Sequence, residues 1–97
     1  MSLEQRKTVL ITGASRGIGS EIARRFALAG YQVALNYNTS ERRARELAEL
    51  LERQLGVAAG ERILPVRADV ADRRQVERMF DEAEARFGGI DVLVNNA

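Results

Sequence analysis

The chain has 97 residues, 45% hydrophobic and 30% charged, a composition that fits one soluble globular domain and little more. Its 15 basic and 14 acidic residues leave a formal charge of +1, interleaved in sign, which argues against nucleic acid as a partner. Cysteine and histidine are absent, which excludes disulfides, thiolate chemistry, Ser-His-Asp triads and zinc sites built on those ligands.

Met1–Gln5 is polar, lacks the apolar core of a secretory signal and is read as a frayed tail. No run approaches the length needed to span a bilayer, and a cytoplasmic location is expected. The first strand is predicted from Lys7 to Thr12, where Val9, Leu10 and Ile11 form the continuous apolar run of a strand buried on both faces. A glycine-rich turn follows, then a helix from Gly17 to Ala29. Ile18, Ile22, Phe26 and Ala29 are expected on its buried face, Glu21, Arg24 and Arg25 outside, and Gly30 as its C-cap.

Val33 to Asn36 reads as the second strand. Ser40 then caps a helix running to Leu55, with Ala44, Leu47, Ala48, Leu51 and Leu55 inward, closed by Gly56. Its Arg42, Arg43, Arg45 and Arg53 alternate with Glu41, Glu46, Glu49 and Glu52, the pattern of a solvated face with local ion pairs. Ile63 to Arg67 is the third strand, and Pro65 assigns it to a sheet edge. Asp72 and Gln75 are spaced as a capping box for a helix whose inner face is Val76, Met79, Phe80, Ala83 and Phe87, stopped by Gly88 and Gly89. Ile90 to Asn95 is the fourth strand.

Alternating strands and helices with cap chemistry at each junction predict an α/β fold, the N-terminal half of a Rossmann-type doubly wound parallel sheet with strand order 3-2-1-4. Between the first strand and first helix lies Thr12-Gly13-Ala14-Ser15-Arg16-Gly17-Ile18-Gly19, where helix amides and dipole face a ligand phosphate. Gly13 permits the turn, Gly17 lets a pyrophosphate approach the backbone, and Gly19 lets helix and strand pack closely. No Lys-Ser or Lys-Thr pair closes the loop, so it is not a Walker P-loop.

The loop resembles the Thr-Gly-x-x-x-Gly-x-Gly fingerprint of the short-chain dehydrogenase/reductase family. Asp69-Val70, after the third strand, matches the family's adenine-binding position. Asn95-Asn96-Ala97 matches the first three residues of its Asn-Asn-Ala-Gly motif, which steadies the sheet and borders the adenosine. Taken alone, Asp69 reads as a bracket for the turn before Asp72, and Asn95 and Asn96 as ordinary turn residues. Their order after the glycine loop is what favours the family reading, and the resemblance spans Thr12 to Ala97.

A carboxylate at the end of the second strand would hold a ribose 2′-hydroxyl and repel a 2′-phosphate. That region reads Asn36-Tyr37-Asn38-Thr39-Ser40, without an acid until Glu41, while Arg16 offers a cation inside the loop. Hydrogen bonds to charged groups contribute roughly 1.5–3 kcal/mol, or about ten- to more than a hundredfold in affinity, so NADP is expected over NAD. In the resembled family a basic residue just before the second loop glycine is also associated with NADP(H), and some members carry another arginine after the second strand, near where Asn38 stands here. Ser15 and Thr39 are neutral donors nearby. The expected cofactor-binding residues are Gly13, Ser15, Arg16, Gly17, Ile18, Gly19, Asn38, Asp69, Val70, Asn95 and Ala97, with no metal.

The family's catalytic Ser, Tyr-x-x-x-Lys pair and helix Asn map onto no position of the chain, and neither Tyr31 nor Tyr37 is followed by a suitably spaced lysine. Residues 1–97 are therefore expected to be the N-terminal portion of one NAD(P)-binding domain whose catalytic portion is absent. The resemblance implies a carbonyl reductase or alcohol dehydrogenase, nearest in flavour to 3-oxoacyl-acyl-carrier-protein reductases. Its partners would be a small carbonyl or alcohol substrate and further copies of the complete protein, with no nucleic acid or membrane. A non-catalytic nucleotide-binding or interaction module is the alternative.

Overall fold

Buried apolar runs of three to six residues pair in one direction, and the segments between them coil into helices that cover both faces of the sheet they form. The computed structural model describes residues 6–97, so the tail Met1–Gln5 lies outside the described residues. In chain order the elements are β1 (Thr8–Ile11), α1 (Gly17–Leu28), β2 (Gln32–Tyr37), α2 (Glu41–Leu55), β3 (Ile63–Arg67), α3 (Arg73–Phe87) and β4 (Val92–Val94). All pairings are parallel and the order is β3-β2-β1-β4, as the sequence predicts. β1 and β4 are shorter than expected, since Lys7, Thr12, Ile90 and Asn95 fall outside the paired segments.

Strand alternation divides the core in two. Val9, Ile11, Val33, Leu35 and Ile63 face α1 and α2, where Ala23, Ala27, Ala48 and Leu51 cover them. Leu10, Ala34 and Val66 face α3 and meet Met79 and Ala83. On α1 the sheet-facing contacts are made by Gly19, Ala23 and Ala27. Ile18 is 73% exposed and Ala29 is also exposed, so neither lies on the buried face expected of them. Small side chains let α1 lie close to the sheet, while Ile22 and Phe26 pack along its flank.

Helix termini follow the expected positions more closely than the expected chemistry. Ala29, not Gly30, is the C-cap of α1. The Gly30 and Tyr31 amides donate to the Ala27 and Phe26 carbonyls, and the Tyr31 ring packs edge-on against Phe26 at 4.8 Å, as in a Schellman closure. Ser40 does cap α2, but through its carbonyl, which accepts from Ala44; its hydroxyl makes no cap bond. Asp72 Oδ1 accepts from the Arg74 and Gln75 amides. These bonds hold its carboxyl below the usual range, so their stabilisation is present above the unfolded-state value and lost as pH falls through the lower folded one. The reciprocal half of the capping box is not made, because the Gln75 carbonyl oxygen turns instead to the Asp69 amide.

Glu52 departs from the solvated face assigned to it. It is buried, and its Oε2 accepts the Gly60 amide at 2.6 Å, fixing the turn between α2 and β3. Four of the other charges on this helix pair locally, Arg45 with Glu41 and Arg42 with Glu46. At the β3 edge, the Val33 amide donates to Arg62 and the Ala68 amide to Tyr37, so alternate residues Arg62, Leu64, Val66 and Ala68 face β2. Pro65 therefore turns its missing N–H outward, where no ladder bond is lost.

Leu51 is fully buried and Leu50, beside it, is 42% exposed. Leu51→Ala is expected to cost about 2–5 kcal/mol in equilibrium urea unfolding of the natural-length protein. Leu50→Ala is expected to stay within about 0.5 kcal/mol, and equal losses would contradict the assigned faces.

Candidate cofactor site

Because every strand runs the same way, the loops that follow them gather at one edge of the sheet. The order reverses between β1 and β4, and in open α/β sheets ligands bind at such a switch point. The Thr12 hydroxyl oxygen accepts the Asn96 amide at 2.9 Å and the Ala97 amide at 3.1 Å, while the Thr12 amide donates to the Val94 carbonyl at 3.0 Å. The Asn96 side chain donates to the Gly13 carbonyl at 3.1 Å. The glycine loop and the Asn95–Ala97 segment are thereby brought together through Thr12 and Asn96.

A methyl group built on Gly19 would meet the Gly13 carbonyl oxygen at 2.4 Å and Asn96 Nδ2 at 2.7 Å. Gly19 is thus required by the approach of α1 to the loop's own backbone. Gly17 differs: its φ is +62°, and nothing lies within 4 Å of the corresponding methyl position. Arg16 occupies the N-cap of α1, no side chain caps that helix and its first turn contains no acid. The amides of exposed Gly17 and Ile18 thus have no side-chain cap, a surface suited to an anionic phosphate. Arg16 is exposed and takes part in none of the ion pairs among the described residues. Ser15 is half-buried in the same loop, and exposed Ile18 stands at the open end of the helix rather than against the sheet.

Residues after β2 and β3 that the sequence assigns to the adenosine side lie close to one another, and hydrogen bonds connect several of them. Asn38 is exposed after β2; its carbonyl accepts from Arg67 Nε at 3.1 Å and its Oδ1 from Arg67 Nη2 at 3.3 Å. Arg67 Nη1 donates to Gln75 Oε1 at 3.2 Å, and the same oxygen accepts the Asp69 amide at 2.9 Å. Asp69 Oδ1 accepts from the Ala71 amide at 3.0 Å, so the carboxylate does bracket its turn. Val70, 43% exposed, lines a cavity of about 390 Å³ with Thr12, Leu93, Asn95 and Ala97 among its other walls.

Sequence reasoning passed over Asn36, Arg67 and Gln75 as site residues. Asn36 is 2% exposed; its Oδ1 accepts the Gly13 amide at 3.1 Å, its Nδ2 donates to the Ala68 carbonyl at 3.0 Å, and its own carbonyl accepts from Ala14. The signal available was a polar residue closing an otherwise apolar strand, since a buried carboxamide requires partners. Asn36→Leu would leave the Gly13 amide without its acceptor, at a cost of about 1–3 kcal/mol. Urea unfolding checks this, and an unchanged midpoint would remove Asn36 from its bridging role.

The short chain dehydrogenase family model matches residues 7–97. The chain is 44% identical over 91 residues to 3beta-hydroxysteroid dehydrogenase 1 of Eggerthella lenta, covering 94% of this chain and 33% of that protein. It is 42% identical over 95 residues to the 3-oxoacyl-(acyl-carrier-protein) reductase FabG of Staphylococcus aureus, covering 98% and 37%. A solved dehydrogenase/reductase from Sinorhizobium meliloti 1021 superposes with a TM-score of 0.85 at 42% identity, over 94% of this chain and 34% of that one. The chain thus spans about a third of the length of these relatives. With its Rossmann-type parallel sheet, glycine loop and match over residues 7–97, the chain belongs to the short-chain dehydrogenase family.

Proposed function

We propose that this chain forms the NADP(H)-binding N-terminal portion of an oxidoreductase acting on a small carbonyl or alcohol substrate. The observation that carries the cofactor choice is Arg16, an exposed cation without an ion-pair partner among the described residues, at an α1 terminus that no side chain caps. The absence of an acid from Asn38 to Ser40 supports it, because no carboxylate in that segment would repel a 2′-phosphate.

In this reading the uncapped amides of Gly17 and Ile18 hold the pyrophosphate, Gly19 keeps α1 close to the loop, and Gly13 and Ser15 shape the loop around it. Arg16 and Asn38 attend the 2′-phosphate. Asp69 and Val70 hold the adenine, and Asn95 and Ala97 border the adenosine from the β4 side. NADP(H) supplies the hydride chemistry when bound. The residues of this chain bind and orient it; the proton donor for the substrate oxygen belongs to the catalytic portion, which we place elsewhere in the complete protein together with its homo-oligomeric contacts. The reductase of Staphylococcus aureus, at 42% identity, supports 3-oxoacyl thioesters of a carrier protein as the substrate class to test first.

Arg16→Ala in the natural-length protein is expected to weaken NADPH roughly ten- to a hundredfold and to leave NADH nearly unchanged, by fluorescence titration and by KM. Unaltered NADPH affinity would sink the assignment. Nucleotide binding by the natural-length protein without any turnover of carbonyl substrates would favour a non-catalytic module instead.

A further inference from the structure

The segment after β2 offers no cation: Asn38, Thr39 and Ser40 are neutral and Glu41 is acidic. A guanidinium nevertheless reaches this segment from the neighbouring strand. Arg67, the last residue of β3, lies in register with Tyr37 and forks onto Asn38 through Nε at 3.1 Å and Nη2 at 3.3 Å. We propose that Arg67 is the second cation of the 2′-phosphate site, supplying from the end of β3 the charge that the segment after β2 lacks.

Arg67 combines fixed geometry with uncompensated charge. Its three nitrogens donate to Asn38 and Gln75, whose oxygens are neutral, and no carboxylate among the described residues forms an ion pair with it. Several helix arginines, by contrast, are paired with glutamates one turn away. A guanidinium carries five N–H donors, so the three bonds leave two for a ligand. Held in a fork geometry, these donors lose little conformational freedom on meeting a phosphate. The nearest acid following β2, Glu41, is drawn to Arg45 at 2.8 Å, which offsets its repulsion of an added phosphate.

Gln75 extends the arrangement, since the oxygen that receives Arg67 also receives the Asp69 amide. One guanidinium therefore joins the ribose end of the adenosine site to the turn assigned to the adenine. A structural tie alone would matter equally to a nucleotide with or without a 2′-phosphate. A cation for that phosphate would matter to one of them.

This inference rests on the NADP reading and is separable from it. The natural-length protein is titrated calorimetrically with 2′,5′-ADP and with 5′-AMP, and as wild type, Arg16→Ala, Arg67→Gln and Arg67→Lys. Arg67→Gln is expected to weaken 2′,5′-ADP about tenfold while 5′-AMP stays within about twofold, and Arg67→Lys to retain most of the preference. Equal losses for both ligands, or no loss for either, overturn the proposal. Should Arg67→Gln not fold, Arg67→Lys decides: a preference kept within about threefold supports the charge role, and a preference abolished overturns it. A wild type that binds both ligands alike refutes the NADP reading itself. A preference lost in Arg16→Ala and intact in Arg67→Gln refutes only the role of Arg67.

Discussion

The Thr12 hydroxyl joins the ends of β1 and β4 into a single surface. Thr12 accepts two successive backbone amides, those of Asn96 and Ala97, and so holds the end of β4 beside the start of the glycine loop. A parallel sheet leaves the amides beyond its strand ends without ladder partners, and a side chain must satisfy them or water will. The short, branched threonine side chain does this from within the motif. The register of β1 with β4, Val9 to Val92 through Ile11 to Val94, ends immediately before this bond.

On the other side of β1 the buried carboxamide of Asn36 performs the corresponding task, joining the loop at Gly13 to the end of β3 at Ala68. The glycine loop is therefore held from both neighbouring strands. With its position fixed, α1 can begin so close to it that Gly19 admits no side chain. That closeness directs the uncapped first turn of α1 toward the space where the order of strands reverses. Positioning of the candidate site thus depends on backbone amides and small residues, with few large side chains involved.

This explains what was and was not legible in the sequence. The end of α2 was plain because Gly56 adopts the left-handed conformation there, and the edge position of β3 because Pro65 offers no amide. The sheet order followed from a regular alternation of elements. Apolar periodicity misled on α1, where it selected Ile18 and Ala29 while the sheet is met by Gly19, Ala23 and Ala27. Periodicity weighs size, and close packing of a helix on a sheet rewards its absence. Asn36 and Arg67 were not legible in their actual roles because each is defined by a partner far along the chain, and Glu52 because its partner is a backbone amide in the following turn, relations that neither periodicity nor composition encodes.

The two margins of the sheet are chemically unlike. Along β3, Pro65 presents its ring where an amide would otherwise face outward, and the strand cannot accept a continuous ladder there. Along β4, which pairs with β1 alone among the described residues, Leu93 is 52% exposed and no proline interrupts Val92–Val94. The hydrogen bonding offered to a further strand consequently differs between the two margins. A strand laid along β3 would meet no donor at Pro65, whereas Val92–Val94 of β4 contains no residue that lacks an amide.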